Sequence, residues 1–273
     1  MFTECFNHVR TGHPLIHNIT NYVTVNDVAN ILLACGGSPI MADDPDEVEE
    51  ITTICDGLNI NIGTLNARTV SSMLKAGKRA AALGHAVLLD PVGAGASRLR
   101  TDTAVRLMEE LNVSVIKGNI SELKALALGS TTTRGVDADA ADAVTQQNLD
   151  EMVAFAKRYA RTTGSIIVIT GAIDLAADAE RCFVIYNGRA EMESITGCGC
   201  QLAGMMTAFI AANPENKLTA AAAATAAMGL AGEIAFRSMQ ETDGNATYRN
   251  RIIDAVYHMD GDMLEAGARY EIR

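Results

Sequence analysis

Over roughly the first 190 residues, short apolar and β-branched runs alternate with longer stretches whose apolar positions recur every three or four residues. Val25, Val28, Ile31, Leu32 and Cys35 share one face of a helix that Gly36 and Gly37 end. Ser38 to Met41 reads as a short strand. Asp44-Pro45-Asp46-Glu47 reads as the next helix start, with Asp as cap, Pro at the first helical position and Glu three residues after the cap. Further strands are expected over Leu58 to Ile62, Ala86 to Leu89, Val113 to Ile116 and Ser165 to Ile169. Between them fall a helix that stops at Gly84, one over Thr103 to Leu111, and two more at about 121–128 and 138–161. Residues 182–186 are a last strand or hairpin arm, with Asn187-Gly188 as a turn signal. Everything after Cys200 is expected to be helical.

Such alternation builds a mostly parallel sheet with helices on both faces. With no internal repeat, low-complexity tract or linker, residues 1–273 are expected to form a single domain. In open α/β sheets ligands bind beyond the carboxyl ends of the strands. Asn61-Ile62-Gly63-Thr64, Asp90, Lys117-Gly118-Asn119, Glu122 and Thr170-Gly171 all follow strand ends and should gather along one edge.

Composition narrows the picture. The chain is 48% hydrophobic but only 4% aromatic, without Trp, which favours a helix-rich enzyme over an aromatic binding surface. A net charge of −11 argues against nucleic acid or an anionic membrane as partner, though not against a nucleotide. Leu218 to Leu230 is nearly all apolar, yet mostly Ala and short of the ~20 residues a membrane span needs, so a buried helix is expected. The first residues lack a signal peptide's basic flank and apolar core. The six cysteines are too scattered for a disulfide framework, so a reducing cytoplasm is the simplest setting. Cys198-x-Cys200 has no second pair at zinc-site spacing.

The chemistry centres on Thr196-Gly197-Cys198-Gly199-Cys200, at the mouth of the apolar run Leu202 to Ala212. Its two glycines allow a tight turn, and a helix's first amides lack internal partners and carry partial positive charge. Together they would cradle an anion, with phosphate the expected one, and Cys200 at the edge, where positive potential lowers a thiol's pKa.

Seven segments resemble those of the hydroxyethylthiazole kinase family, in family order over roughly residues 12 to 236. They are Pro14 to Asn21, Gly37 to Ala42, Asn61 to Leu65, Asp90 to Gly95, Gly118-Asn119 with Glu122, Ile169 to Gly171, and Thr196 to Cys200. The resemblance implies a ribokinase-like α/β fold with a nine-stranded sheet. It also implies ATP- and Mg2+-dependent phosphorylation of 4-methyl-5-(2-hydroxyethyl)thiazole in thiamine salvage, by a homotrimer with active sites at subunit interfaces. By motif position, Met41, Asn21, Val23, Gly63 and Thr64 would line the thiazole pocket, and Gly197 would bind substrate at the anion hole. Lys117, Asn119 and Thr170 would meet ATP, and Asp90 and Glu122 would lie near magnesium. Cys200 would face the hydroxyl as a weak base or positioning group, with Gly197 and Gly199 shaping the cradle. Two positions depart from the family: Lys117 replaces a usual Arg, losing its two-pronged contact, and Cys198 replaces a small Ala.

Other readings remain open. Kinases of hydroxymethylpyrimidine or pyridoxal, and an ADP- or ATP-dependent nicotinamide-hydrate dehydratase, share the fold; a non-catalytic nucleotide sensor is another class. No Gly-x-Gly-x-x-Gly follows the first strand, which disfavours a dehydrogenase. His17 is expected to fix the Asn18-to-Asn21 turn rather than to catalyse. Asp137, Asp139 and Asp142 read as a solvated helix face, and Met205, Met206 and Met228 as core.

Overall fold

The structure is a computed structural model and describes residues 1–128 and 143–273. The acidic cluster at Asp137, Asp139 and Asp142 lies outside the described residues, and of the helix expected over 138–161 the described part is not helical over 143–148 and begins only at Leu149.

The chain begins with α1 (Phe2–Gly12), β1 (Leu15–Ile19), α2 (Val25–Cys35), β2 (Ser38–Met41), α3 (Val48–Ile54) and β3 (Gly57–Asn61). It continues through α4 (Ala67–Leu83), β4 (Ala86–Asp90), α5 (Arg98–Glu110), β5 (Val115–Asn119) and α6 (Ile120–Leu128). Then come α7 (Leu149–Thr163), β6 (Ile166–Thr170), β7 (Asp174–Ala177), β8 (Cys182–Ile185) and α8 (Cys198–Ala212). The last elements are α9 (Lys217–Arg237), α10 (Asn245–His258), α11 (Gly261–Gly267) and β9 (Tyr270–Ile272).

The described strands form one nine-stranded sheet in the order β2-β1-β3-β4-β5-β6-β7-β8-β9. Pairing is parallel from β2 to β6 and antiparallel from β6 to β9. Alternate strand residues feed opposite cores, as the two-residue repeat of a strand requires. Leu88, Val115 and Val168 point to the layer of α1, α2, α8, α9 and α10, whereas Val87, Leu89, Ile116 and Ile167 point to that of α4, α5 and α7.

Most expected elements are present, with five corrections. Asp44 opens a turn, not the helix: its Oδ1 accepts the Asp46 N–H (2.9 Å), and α3 starts only at Val48. Helix α5 begins at Arg98, before Thr103, because the Ser97 hydroxyl caps it by accepting the Arg100 N–H. β7 was not foreseen, and β9 overturns the expectation that all is helical after Cys200. Asn187-Gly188 leaves the sheet instead of turning a hairpin, and the Asn187 side chain accepts the Arg269 N–H (2.7 Å) on the approach to β9.

The alanine-rich α9 is buried almost throughout. Pro214–Arg237 is the one stretch among the described residues long and apolar enough to cross a membrane, and 89% of its apolar window is buried inside the fold. Its small side chains let backbone approach backbone: a Cβ added to Gly229 would lie 2.6 Å from the Asn187 carbonyl carbon.

Candidate active site

Gly197 caps α8 with φ +90, and a Cβ there would fall 2.4 Å from Thr24 Cγ2. Both the left-handed backbone and the space therefore demand glycine. The Gln201 N–H donates back to the Gly197 carbonyl (2.8 Å), so the amides of Cys198, Gly199 and Cys200 start the helix without intrahelical acceptors. At Gly199 a Cβ would press against Lys117 Nζ at 3.0 Å. This is the tight glycine turn at a helix start that the two glycines predicted.

Beneath this turn lies a buried polar network. Cys200 Sγ accepts N–H bonds from Asn21 Nδ2 (3.2 Å) and Asn61 Nδ2 (3.3 Å). Asn21 Oδ1 accepts from the Thr24 amide and hydroxyl, both at 3.1 Å. Asn61 Nδ2 also donates to Asp90 Oδ2 (2.8 Å), and the Lys117 ammonium joins that oxygen (3.3 Å) to the Gly199 carbonyl (3.0 Å). Strand ends β3, β4 and β5 are thus tied to the first turn of α8.

Lys117 and Asp90 form a buried ion pair. Burial works against the charge on Lys117, but Asp90 and Cys200 outweigh it and hold the ammonium charged. Glu122 accepts the Gly93 amide on Oε1 and the Asn119 amide on Oε2, each at 2.8 Å. Burial, and after it the charge of Asp90, push Glu122 up to about 7. Two crowded carboxylates whose ionisation is resisted in this way are a donor set that a hard divalent cation would suit. Among the described residues no group of three His, Cys, Asp or Glu side chains is placed to hold a metal ion, so such an ion would draw its remaining ligands from phosphate oxygens and water.

The expected residues do not all join this network. Asn21, Asp90, Lys117, Gly199 and Cys200 are linked directly, and Gly63 adjoins through its amide on Asn61 Oδ1 (2.9 Å). Thr64 Oγ1 accepts the Tyr22 N–H (3.3 Å), while Val23 next to it is 60% exposed. Met41 is half-buried at the end of β2, opposite Asn18 of β1. Asn119 closes the turn into α6 by accepting the Glu122 N–H (2.8 Å), and the Thr170 hydroxyl donates to the Gly118 carbonyl (3.4 Å).

Two chemical expectations are overturned. The Cys200 thiol is pushed up, not down, because burial and the Asp90 charge outweigh Lys117. His17 does not fix the following turn; its Nε2 donates to the Ala42 carbonyl (2.9 Å) and its Nδ1 meets the Thr52 hydroxyl (2.9 Å), which steadies the segment after Met41. Sequence reasoning placed Asn61 at a strand end without a role and passed over Thr24. The Asn21-x-x-Thr24 spacing, typical of a side-chain-capped turn, was the available signal for the latter.

A glycine-shaped helix start set beyond the carboxyl ends of parallel strands, above a buried lysine and two acids, fits the ribokinase-like class of small-molecule kinases. The ADP complex of Bacillus subtilis pyridoxal kinase shares this fold with a TM-score of 0.59 at 20% identity, over 80% of this chain and 91% of that one. The solved hydroxyethylthiazole kinase protein of Pyrococcus horikoshii matches with a TM-score of 0.87 at 33% identity, over 100% and 98% of the two chains. The hydroxyethylthiazole kinase of Clostridium acetobutylicum is 57% identical over 271 residues, 99% of each chain. The profile of the Hydroxyethylthiazole kinase family matches residues 6–262. The chain belongs to the hydroxyethylthiazole kinase family.

Proposed function

We infer that the chain transfers the γ-phosphoryl group of ATP to the hydroxyl of 4-methyl-5-(2-hydroxyethyl)thiazole, a step of thiamine salvage. The observation that carries the reading is Cys200 Sγ at the foot of the α8 cradle, held by the side chains of Asn21 and Asn61, in a chain 57% identical to a hydroxyethylthiazole kinase.

Phosphoryl transfer passes through a loose transition state in most analyses, so the protein mainly positions groups and neutralises charge. The amides at 198–200 receive the γ-phosphate as charge gathers on its oxygens. Two of the three Lys117 donors are engaged, by Asp90 and the Gly199 carbonyl, and the third is available to a phosphate oxygen. Cys200 faces the hydroxyl as a positioning group and weak base, in keeping with a thiol that burial keeps protonated. Asn119 and Thr170 line the nucleotide side; Met41, Asn21, Val23, Gly63 and Thr64 line the thiazole side. Magnesium, held by Asp90 and Glu122, would supply charge neutralisation on the ATP phosphates.

A cavity of about 440 Å³ beside Gly63 and Thr64 is bordered by Tyr22, Leu99 and Arg100. Tyr22 is 76% and Leu99 58% exposed, an apolar rim that a second copy would cover, in keeping with a homotrimer whose sites lie between subunits. We read residues 1–273 as a single domain working in the cytoplasm.

A coupled kinase assay on the thiazole, hydroxymethylpyrimidine and pyridoxal alcohols tests the reading, with the thiazole expected to give the highest kcat/KM. In the same assay Cys200→Asp should keep or raise the rate, since a carboxylate accepts the same two amide bonds and takes protons more readily. Loss of turnover in a folded, ATP-binding Cys200→Asp protein would remove the base assignment.

A further inference from the structure

One side chain in the network enters the reading above only as a support for Cys200, yet it bonds to four different residues, more than any of its neighbours there. Asn61 is buried at the carboxyl end of β3, the strand between β1 and β4. Its Oδ1 accepts the Gly63 amide (2.9 Å) and Asn21 Nδ2 (3.0 Å). Its Nδ2 donates to Asp90 Oδ2 (2.8 Å) and to Cys200 Sγ (3.3 Å). Those four bonds use the two N–H donors and both lone pairs of a carboxamide. Its orientation is fixed by chemistry: the Gly63 amide can only donate, so the oxygen must face it and the NH2 group must face the carboxylate and the sulfur.

We propose that Asn61 is a positioning residue for phosphoryl transfer, aiming Cys200 Sγ at the substrate hydroxyl and locking that sulfur to Asp90. With the Asn21 and Asn61 NH2 groups both directed at it, Sγ is an acceptor on its protein side. Those two bonds take both lone pairs of the thiol, so it is its own proton that faces away from the two amides. The second Asn61 N–H holds the carboxylate that carries Lys117, and Lys117 in turn holds the Gly199 carbonyl of the cradle. The oxygen holds Gly63, on the thiazole side. One carboxamide therefore sets the distance between acceptor sulfur, charged pair and substrate loop without touching either substrate. Neither the apolar alternation of β3 nor a helix-start motif singles out such a residue; it emerges only when three strands and α8 are brought together.

The inference rests on the reading of Cys200 as the group facing the hydroxyl, and its test separates the two. Asn61→Asp keeps the shape and the oxygen that serves Gly63 and Asn21, but sets an acceptor against Asp90 and Sγ. Asn61→Ser is the second variant, smaller and uncharged, should a buried carboxylate hinder folding. Steady-state kinetics with the thiazole alcohol and MgATP should show kcat lowered about ten- to a hundredfold, the size of one lost charge-assisted hydrogen bond, with both KM values within about threefold. In a Cys200→Ala background the same substitutions should lower kcat less than about threefold, because the group they position is gone. A slowed Cys200→Ala enzyme combined with Asn61 variants at full kcat overturns the Asn61 role alone. So does an equal loss in both backgrounds, or a loss confined to KM, as a purely structural residue would give. Cys200→Ala at the full rate removes the reading of Cys200 and the role of Asn61 together.

Discussion

Helix α8 meets the beginning of α2 at two glycines, one at each end of a short seam, and the two contacts do different work. Gly204 lies inside the helix, where an added Cβ would fall 2.7 Å from Val28 Cγ1, the end of an apolar side chain that can give a little. Gly197 lies at the helix start, where an added Cβ would fall 2.4 Å from Thr24 Cγ2 and the backbone itself is left-handed. Thr24 is in turn held by Asn21, which bonds Cys200 Sγ. The same helix pair thus changes from adaptable apolar packing to a fixed polar junction over seven residues, and only the second kind of contact fixes the turn that opens α8.

The largest effect expected is at the polar end. Gly197→Ala should lower kcat by about 10²- to 10³-fold, the cost typical of losing one donor from an oxyanion-type hole, read in the kinase assay. Near-normal turnover in that variant would erase the distinction between the two ends.

A second test moves to the other buried acid of this edge. The folded-state value of Glu122, about 7, lies above its ordinary 4.5, so the native protein binds more protons than the unfolded chain across that window. Without ligands, its contribution to stability is present below 4.5 and is lost as pH rises through about 7. Urea unfolding of wild type and Glu122→Gln at pH 5 and 8 should diverge by up to about 3 kcal/mol. Parallel pH profiles would show that burial does not strain this carboxylate.

The smallest effect belongs to the apolar end. Gly204→Ala gains helix propensity but overpacks Val28, for a net loss of about 1 kcal/mol and a melting point lower by about 2–4 °C. Its kcat per folded molecule should stay within about twofold. A hundredfold fall there would mean that the whole seam, not its polar end alone, sets the cradle.

Much of the architecture was legible because its elements obey local rules. The apolar face of α2 and its glycine stop, the buried run at β4 and the glycine turn before α8 all carry their signals within a few residues. β7 escaped because Asp174-Leu175-Ala176-Ala177 has no β-branched residue, and β9 because three residues behind a helix carry too little pattern. At the site, residue types were readable but their electrostatics were not. A helix N-terminus argues for a lowered thiol pKa at Cys200, yet burial beside Asp90 is a tertiary effect and it wins. Asn61 shows the same limit, since its four bonds come from partners up to 139 positions away.

The alanines of α9 have a thermal consequence. Alanine has no side-chain rotamers to lose, so burying the alanines of this helix behind α8 costs folding no side-chain entropy. By the same token the wall has few torsions to loosen on heating, and the cradle leans against something close to bare polypeptide.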